Sequence, residues 1–162
     1  MNLRSLSLLA GVLLLAACAS DNTDKGGAAG AGAGANTPAT ATVQPGSRED
    51  FQQNVGDRVF FDFDKSDIKP EGRTILQRQA DWLKKFPNVT VTVEGHCDER
   101  GTREYNLALG ERRATAVKKM LVALGVAANR VSTISYGKER PAVVGSTEAA
   151  WAQNRRGVTV IN

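Results

Sequence analysis

The chain has 162 residues, 21 of them basic and 17 acidic, for a formal charge of +4, and only 6% of its residues are aromatic. That length suits one domain of ordinary size. Basic residues never run beyond two in a row, so the charge makes a mixed surface without the basic stripe that nucleic acid needs, and no nucleic-acid partner is expected.

The N-terminus carries the strongest compositional signal. One positive charge in "MNLR" precedes "LSLLAGVLLLAA". That is about a dozen mostly apolar residues, the length of a secretory core and short of the ~18 that a membrane span requires. Small residues then lead to a cysteine, Leu15-Ala16-Ala17-Cys18. The pattern resembles the lipobox of bacterial lipoproteins, which implies cleavage before Cys18 and acylation of that residue. Ala19 follows, where an Asp would signal retention; by the lipoprotein sorting rule this implies the periplasmic face of the outer membrane. Residues 18–48 are dominated by Gly, Ala, Thr and Pro, with Val43 the only large aliphatic. They have little apolar surface to offset ordering entropy and read as a disordered tether. The expected organisation is a signal peptide over 1–17, lipidated Cys18 with its tether over 18–48, and a domain over 49–162. After cleavage Cys97 is the only side-chain thiol left, so the domain must fold without an internal disulfide.

Within the domain, "RVFFDF" (58–63) is aromatic and β-branched, which predicts a strand. Pro70 suits a first helical turn, and Ile75, Gln79, Trp82, Leu83 and Phe86 follow at helical spacing before Pro87. "VTVTVEGH" (89–96) alternates, so Val89, Val91 and Val93 share a dry face and Thr90, Thr92 and Glu94 a wet one. A second helix is predicted from Thr102 to Leu124, with Gly125 at its C-terminal cap. "VSTISYG" (131–137) is a strand, "STEAAWAQNRRG" (146–157) a short helix capped by Ser146 or Thr147, and "GVTVIN" (157–162) a last strand. The order β-α-β-α-β-α-β with one wet sheet face predicts a two-layer α+β sandwich: a mixed four-stranded sheet with its helices on one side.

Charge concentrates in "EGHCDERGTREYN" (94–106). A Cys97–His96 dyad fails on geometry, because neighbours on a strand point to opposite faces. His96 is the only histidine, too few for a zinc site, and no Gly-x-Ser-x-Gly elbow is present. Neither an enzyme nor a metal or other cofactor is expected. His96 is either a strand-end histidine with a satisfied hydrogen bond or part of a binding site. Asn106, Gly110 and Arg113 lie at i, i+4 and i+7, on one helix face. Gly110 opens a gap there for a ligand or for the loop backbone. Arg113 suits a carboxylate and Asp98 an ammonium; the two could hold a zwitterion or simply pair with each other.

"FDFDKSDIKPEG", "VEGHCDERGTREYNLALGERRATAVKKML" and "NRRGV", behind a lipobox and tether, resemble the peptidoglycan-associated lipoproteins and their OmpA-like domain over nearly all of 58–162. The resemblance implies non-covalent binding of the meso-diaminopimelate stem peptide of peptidoglycan. It implies that Asp98 holds the amine and Arg113 the carboxylate of that residue, that Asn106 belongs to the site, and that Phe63, Asp64 and Ser66 lie near the ligand, Asp67 with them. It also implies Tol proteins as partners, through a surface overlapping the pocket, and a role in envelope integrity and cell division. Cys97 departs from the family pattern. The competing expectation is a domain whose pocket docks a periplasmic protein.

Overall fold

The computed structural model describes residues 43–162. The expected signal peptide, Cys18 and most of the expected tether lie outside the described residues. The first helix among the described residues begins at Arg48. Ser47 Oγ accepts a hydrogen bond from the Asp50 backbone N–H at 3.1 Å and so caps α1 (Arg48–Asp50). That helix runs directly into a π-helical turn over Phe51–Val55. The periodicity argument misses this segment, since only Phe51 and Val55 of it are buried. Phe51 sets its ring edge-on to Trp82 at 4.9 Å.

Strand β1 (Arg58–Phe60) is half the predicted length. The chain leaves the sheet after Phe61, whose N–H bonds to the Arg155 carbonyl, and turns at Asp64, the one non-glycine with a positive φ among the described residues (56°). Helix α2 (Pro70–Lys85) starts on its proline and stops just ahead of Pro87. Strand β2 (Val91–His96) leads through a charged loop to α3 (Arg103–Ala123), whose N-cap Thr102 accepts from the Tyr105 N–H at 3.2 Å. Gly125 follows α3 at φ 97°, the left-handed geometry that stops a helix. A 3-10 turn, Ala128–Arg130, enters β3 (Val131–Gly137). Thr147 caps α4 (Glu148–Asn154), and β4 (Arg156–Ile161) ends the fold.

The sheet order is β1-β4-β2-β3. β4 runs antiparallel to both of its neighbours, and β2 is parallel to β3. A parallel pair needs a crossover, and α3 supplies it. Alternation along β2 works as expected: Val91 and Val93 are buried against the helices, while Thr92 Oγ1 meets Ser132 Oγ at 2.9 Å on the open face. Val59, Leu76, Leu83, Val91, Val93, Val117 and Leu121 form the core between the layers. The expected α+β two-layer architecture is the one observed.

Gly110 has a different role from the one its spacing suggested. A Cβ added at Gly95 of β2 would sit 1.8 Å from the Gly110 carbonyl oxygen, and one added at Gly110 would lie 2.3 Å from Ser135 Oγ. The gap in the α3 face is filled by the Ser135 hydroxyl of β3 and the Gly95 backbone of β2 rather than by the loop. Two facing glycines let helix and strand touch, which draws the N-terminal half of α3 down onto the end of the sheet and places Asn106 and Arg113 beside the 97–102 loop.

Candidate functional site

A cavity of about 150 Å³ opens where the C-terminal end of β2, the start of α3 and the turn after β1 converge. Phe63, Asp64, Cys97, Asp98, Arg100, Gly101, Tyr105, Asn106, Leu109 and Arg113 line it. Five of the residues singled out from the sequence are therefore brought together: Phe63, Asp64, Asp98, Asn106 and Arg113.

Arg113 is the largest fully buried side chain of the described residues, with 0% exposure. Its Nε donates to the Lys65 carbonyl at 2.9 Å, Nη1 to that of His96 at 2.8 Å, and Nη2 to that of Asp62 at 3.1 Å. Three carbonyls from two separate segments lock the guanidinium plane. Carbonyl dipoles do not neutralise a charge, and among the described residues no carboxylate forms an ion pair with Arg113. Burial pulls its proton affinity down, yet a guanidinium stays charged in proteins. Two of its five N–H groups are not used by these three bonds. The cavity wall thus carries a fixed positive charge without a partner of opposite sign, an arrangement that is costly unless an anion is to be received.

Asp98, 4% exposed, is the opposite case. Its Oδ1 accepts from the Arg100 backbone N–H at 3.1 Å and from Arg100 Nε at 3.2 Å; Oδ2 accepts from Arg100 Nη2 at 2.6 Å and from Arg155 Nη1 at 3.3 Å. Burial pushes its carboxyl up, but these hydrogen bonds and the Arg100 charge outweigh burial and hold it below the usual carboxylate range. It is ionised at neutral pH. Of the two arrangements the sequence left open, the direct Asp98–Arg113 ion pair does not form; the two groups bring opposite charges to one cavity without pairing.

The remaining positions divide by role. Asn106 Nδ2 donates to the carbonyls of Arg100 at 2.7 Å and Thr102 at 3.0 Å, so it shapes the charged loop. Tyr105 donates its hydroxyl to Asp64 Oδ1, which ties the strained turn to α3. Phe63 stands 57% exposed at the mouth. Cys97 does line the wall, although alternation argued against contact. Its Sγ donates to the Asn106 carbonyl at 3.3 Å, and burial pushes the thiol up to about 11, so it is no nucleophile at neutral pH.

Two expected site residues lie elsewhere. Ser66 borders a separate shallow depression with Asp67, Glu111 and Arg112, because the turn at Asp64 carries the chain out of the cavity before residue 66. His96 sits on the open face of the sheet with Glu94 and Tyr136, since side chains alternate along β2. Neither reading of His96 holds in full: it does not reach the cavity, and both ring nitrogens are buried without a hydrogen-bond partner among the described residues. The acids of the "FDFDKSD" segment also separate. Asp64 lines the cavity, while Asp62 pairs with Lys69 at 3.1 Å. Asp67 borders the same depression as Ser66, outside the cavity.

Sequence reasoning missed Arg100, Tyr105 and Arg155. Arg155 falls at the end of the predicted last helix, where nothing in the spacing points to a site. It is 6% exposed and braces Asp98 while its Nε donates to the Phe61 carbonyl at 3.1 Å and its Nη2 to Glu148 at 2.6 Å. The signal available was the pair Arg155-Arg156 at the start of a strand: alternation must turn one of them inward. Among the described residues no group of His, Cys, Asp and Glu is arranged to hold a metal ion.

A mixed sheet ordered β1-β4-β2-β3, helices on one face and a charged cavity at the end of β2 together define an OmpA-like α+β domain. The OmpA family model matches residues 60–155, and the chain belongs to the OmpA family. It is 54% identical over 149 residues to the peptidoglycan-associated lipoprotein of Rhizobium meliloti, covering 92% of this chain and 82% of that one. The peptidoglycan-associated lipoprotein of Haemophilus influenzae is 48% identical over 155 residues, covering 96% and 95%. Among solved structures, the peptidoglycan-associated lipoprotein of Burkholderia pseudomallei has a TM-score of 0.68 and 40% identity, covering 72% of this chain and all of its own. The C-terminal domain of Helicobacter pylori MotB has a TM-score of 0.61 and 25% identity, covering 65% and 84%.

Proposed function

We propose that this protein binds the peptide stem of peptidoglycan without catalysis, taking the zwitterionic end of a meso-diaminopimelate residue into the cavity. The carboxylate goes to Arg113 and the ammonium to Asp98, with Phe63 and Asp64 at the entrance. The observation that carries this reading is the buried Arg113 guanidinium, which faces the cavity with three carbonyl partners and no carboxylate. The relatives named peptidoglycan-associated lipoproteins support peptidoglycan as the polymer bound. With Cys18 acylated, the chain would tether the outer membrane to the wall from its periplasmic face. Lipid at one end and a polymer of ligands at the other make modest affinity per site sufficient.

A second reading has its own observation. Phe63 is 57% exposed and Tyr105 47%, both at the cavity mouth, which favours a protein partner docking over the same opening. A Tol protein in that position, with a part in envelope integrity and cell division, would compete with the wall. Co-sedimentation of the full chain with purified sacculi tests the leading reading. The chain should pellet with the sacculi, release no soluble muropeptides, and stay in solution when Arg113 is replaced by Ala in a folded variant. Failure of the wild-type chain to pellet would leave protein docking as the better account.

A further inference from the structure

Asp98 is fully subscribed. A carboxylate offers about four acceptor positions, and Arg100 takes three of them, one through its backbone N–H and two through its guanidinium, leaving the fourth to Arg155. No position is free for an incoming ammonium. Arg113, which lines the same cavity, has 0% exposure.

Of the three guanidiniums around the cavity, only one can move cheaply. Arg113 is held by three carbonyls, and Arg155 by a carbonyl, Glu148 and Asp98 with its side chain 7% exposed. The Arg100 side chain is 31% exposed and bonds only to Asp98. Its guanidinium lies 4.0 Å from the ring centre of Phe63 and 4.0 Å from that of Trp151, a slot that would accept another cation as well.

We propose that Arg100 is a displaceable plug: its guanidinium occupies the cation position on Asp98, and the ligand's ammonium enters by exchanging for it. When the side chain swings out, one acceptor position on each Asp98 oxygen is released. The Arg100 backbone N–H and Arg155 Nη1 stay in place, so the carboxylate keeps its charge and its orientation. Asp98 is thereby charge-balanced within the protein, and a ligand must bring its own cation to take the place of Arg100. A stem peptide whose side-chain amine is acetylated therefore cannot open it. This inference rests on the zwitterion reading above.

The test is a calorimetric titration of the full chain with a soluble muropeptide containing meso-diaminopimelate, on wild type and on Arg100→Ala. Removing the internal competitor should tighten binding roughly three- to thirtyfold. Equal or weaker binding by a folded Arg100→Ala variant overturns the plug, because Arg100 would then be a wall or a ligand contact. Absence of binding to both proteins overturns the zwitterion reading instead, and the plug falls with it. A second measurement needs no variant. The side-chain Nε–H resonance of Arg100 should shift and lose exchange protection when wild type is saturated with the muropeptide, and a resonance that stays in place under saturation refutes the exchange.

Discussion

His96 makes the acid stability of the domain calculable. It is 2% exposed, neither ring nitrogen has a hydrogen-bond partner among the described residues, and Glu94 stands 3.5 Å from Nε2. Burial, then the charge of Arg156, depresses the imidazole from 6.5 to about 4. The folded state therefore resists a proton that the unfolded chain takes up near pH 6.5. The stability involved is fully present above that value and is lost as the pH falls toward 4. Each tenfold change in proton affinity is worth about 1.4 kcal/mol, so the full loss is roughly 3 kcal/mol, and about half of it falls between pH 7 and pH 5. This window lies above the range in which Asp98, held low by its guanidinium partners, begins to protonate. No second histidine is present to confuse the reading. Urea unfolding at the two pH values should show that drop for wild type and lose most of it for His96→Phe, which keeps a ring against Tyr136. A wild-type stability flat across the window, or an imidazole proton resonance that titrates at or above 6.5, would refute the reasoning.

Other consequences follow from packing and charge. Gly95→Ala places a methyl 1.8 Å from the Gly110 carbonyl and should cost more than about 3 kcal/mol in urea unfolding, or abolish folding. Asp98→Asn leaves Arg155 and Arg100 without their shared counter-ion. It should cost about 3–5 kcal/mol of stability and abolish sacculus binding in whatever fraction still folds. The Cys97 thiol, buried and pushed up to about 11, should react with a thiol reagent at mildly alkaline pH only as fast as the domain unfolds. Prompt labelling of Cys97 itself in the native protein, located by peptide mapping, would show the cavity to be more open than its packing implies.

The layers of the fold were readable because their signals are local. Pro70, Thr102, Gly125 and Thr147 each mark a helix end by a backbone requirement that no distant residue alters. The valines of β2 mark a buried face by alternation alone. Strand order was not readable, because β4 reaches its place between β1 and β2 only through long-range pairing. Nor was the shortness of β1, which ends because Asp64 turns the chain back toward Tyr105 of α3, a partner 41 positions away. The site was legible in outline. Helical spacing put Asn106 and Arg113 on one face, and the loop acid Asp98 was within reach of both. Spacing could not reveal that Arg113 spends three donors on carbonyls, or that Asp98 is already bonded to Arg100 and Arg155. Gly110 shows the same limit: a missing side chain marks a close approach, but the sequence does not say of what.

Paired titrations of the full chain with two soluble muropeptides, one containing meso-diaminopimelate and the other lysine in its place, test the central claim most directly. The two differ by the carboxylate assigned to Arg113. A charge-assisted hydrogen bond to it, worth about 1.5–3 kcal/mol, predicts a preference of roughly ten- to a hundredfold for the diaminopimelate form. Equal affinities would contradict the assignment of Arg113 as the carboxylate site.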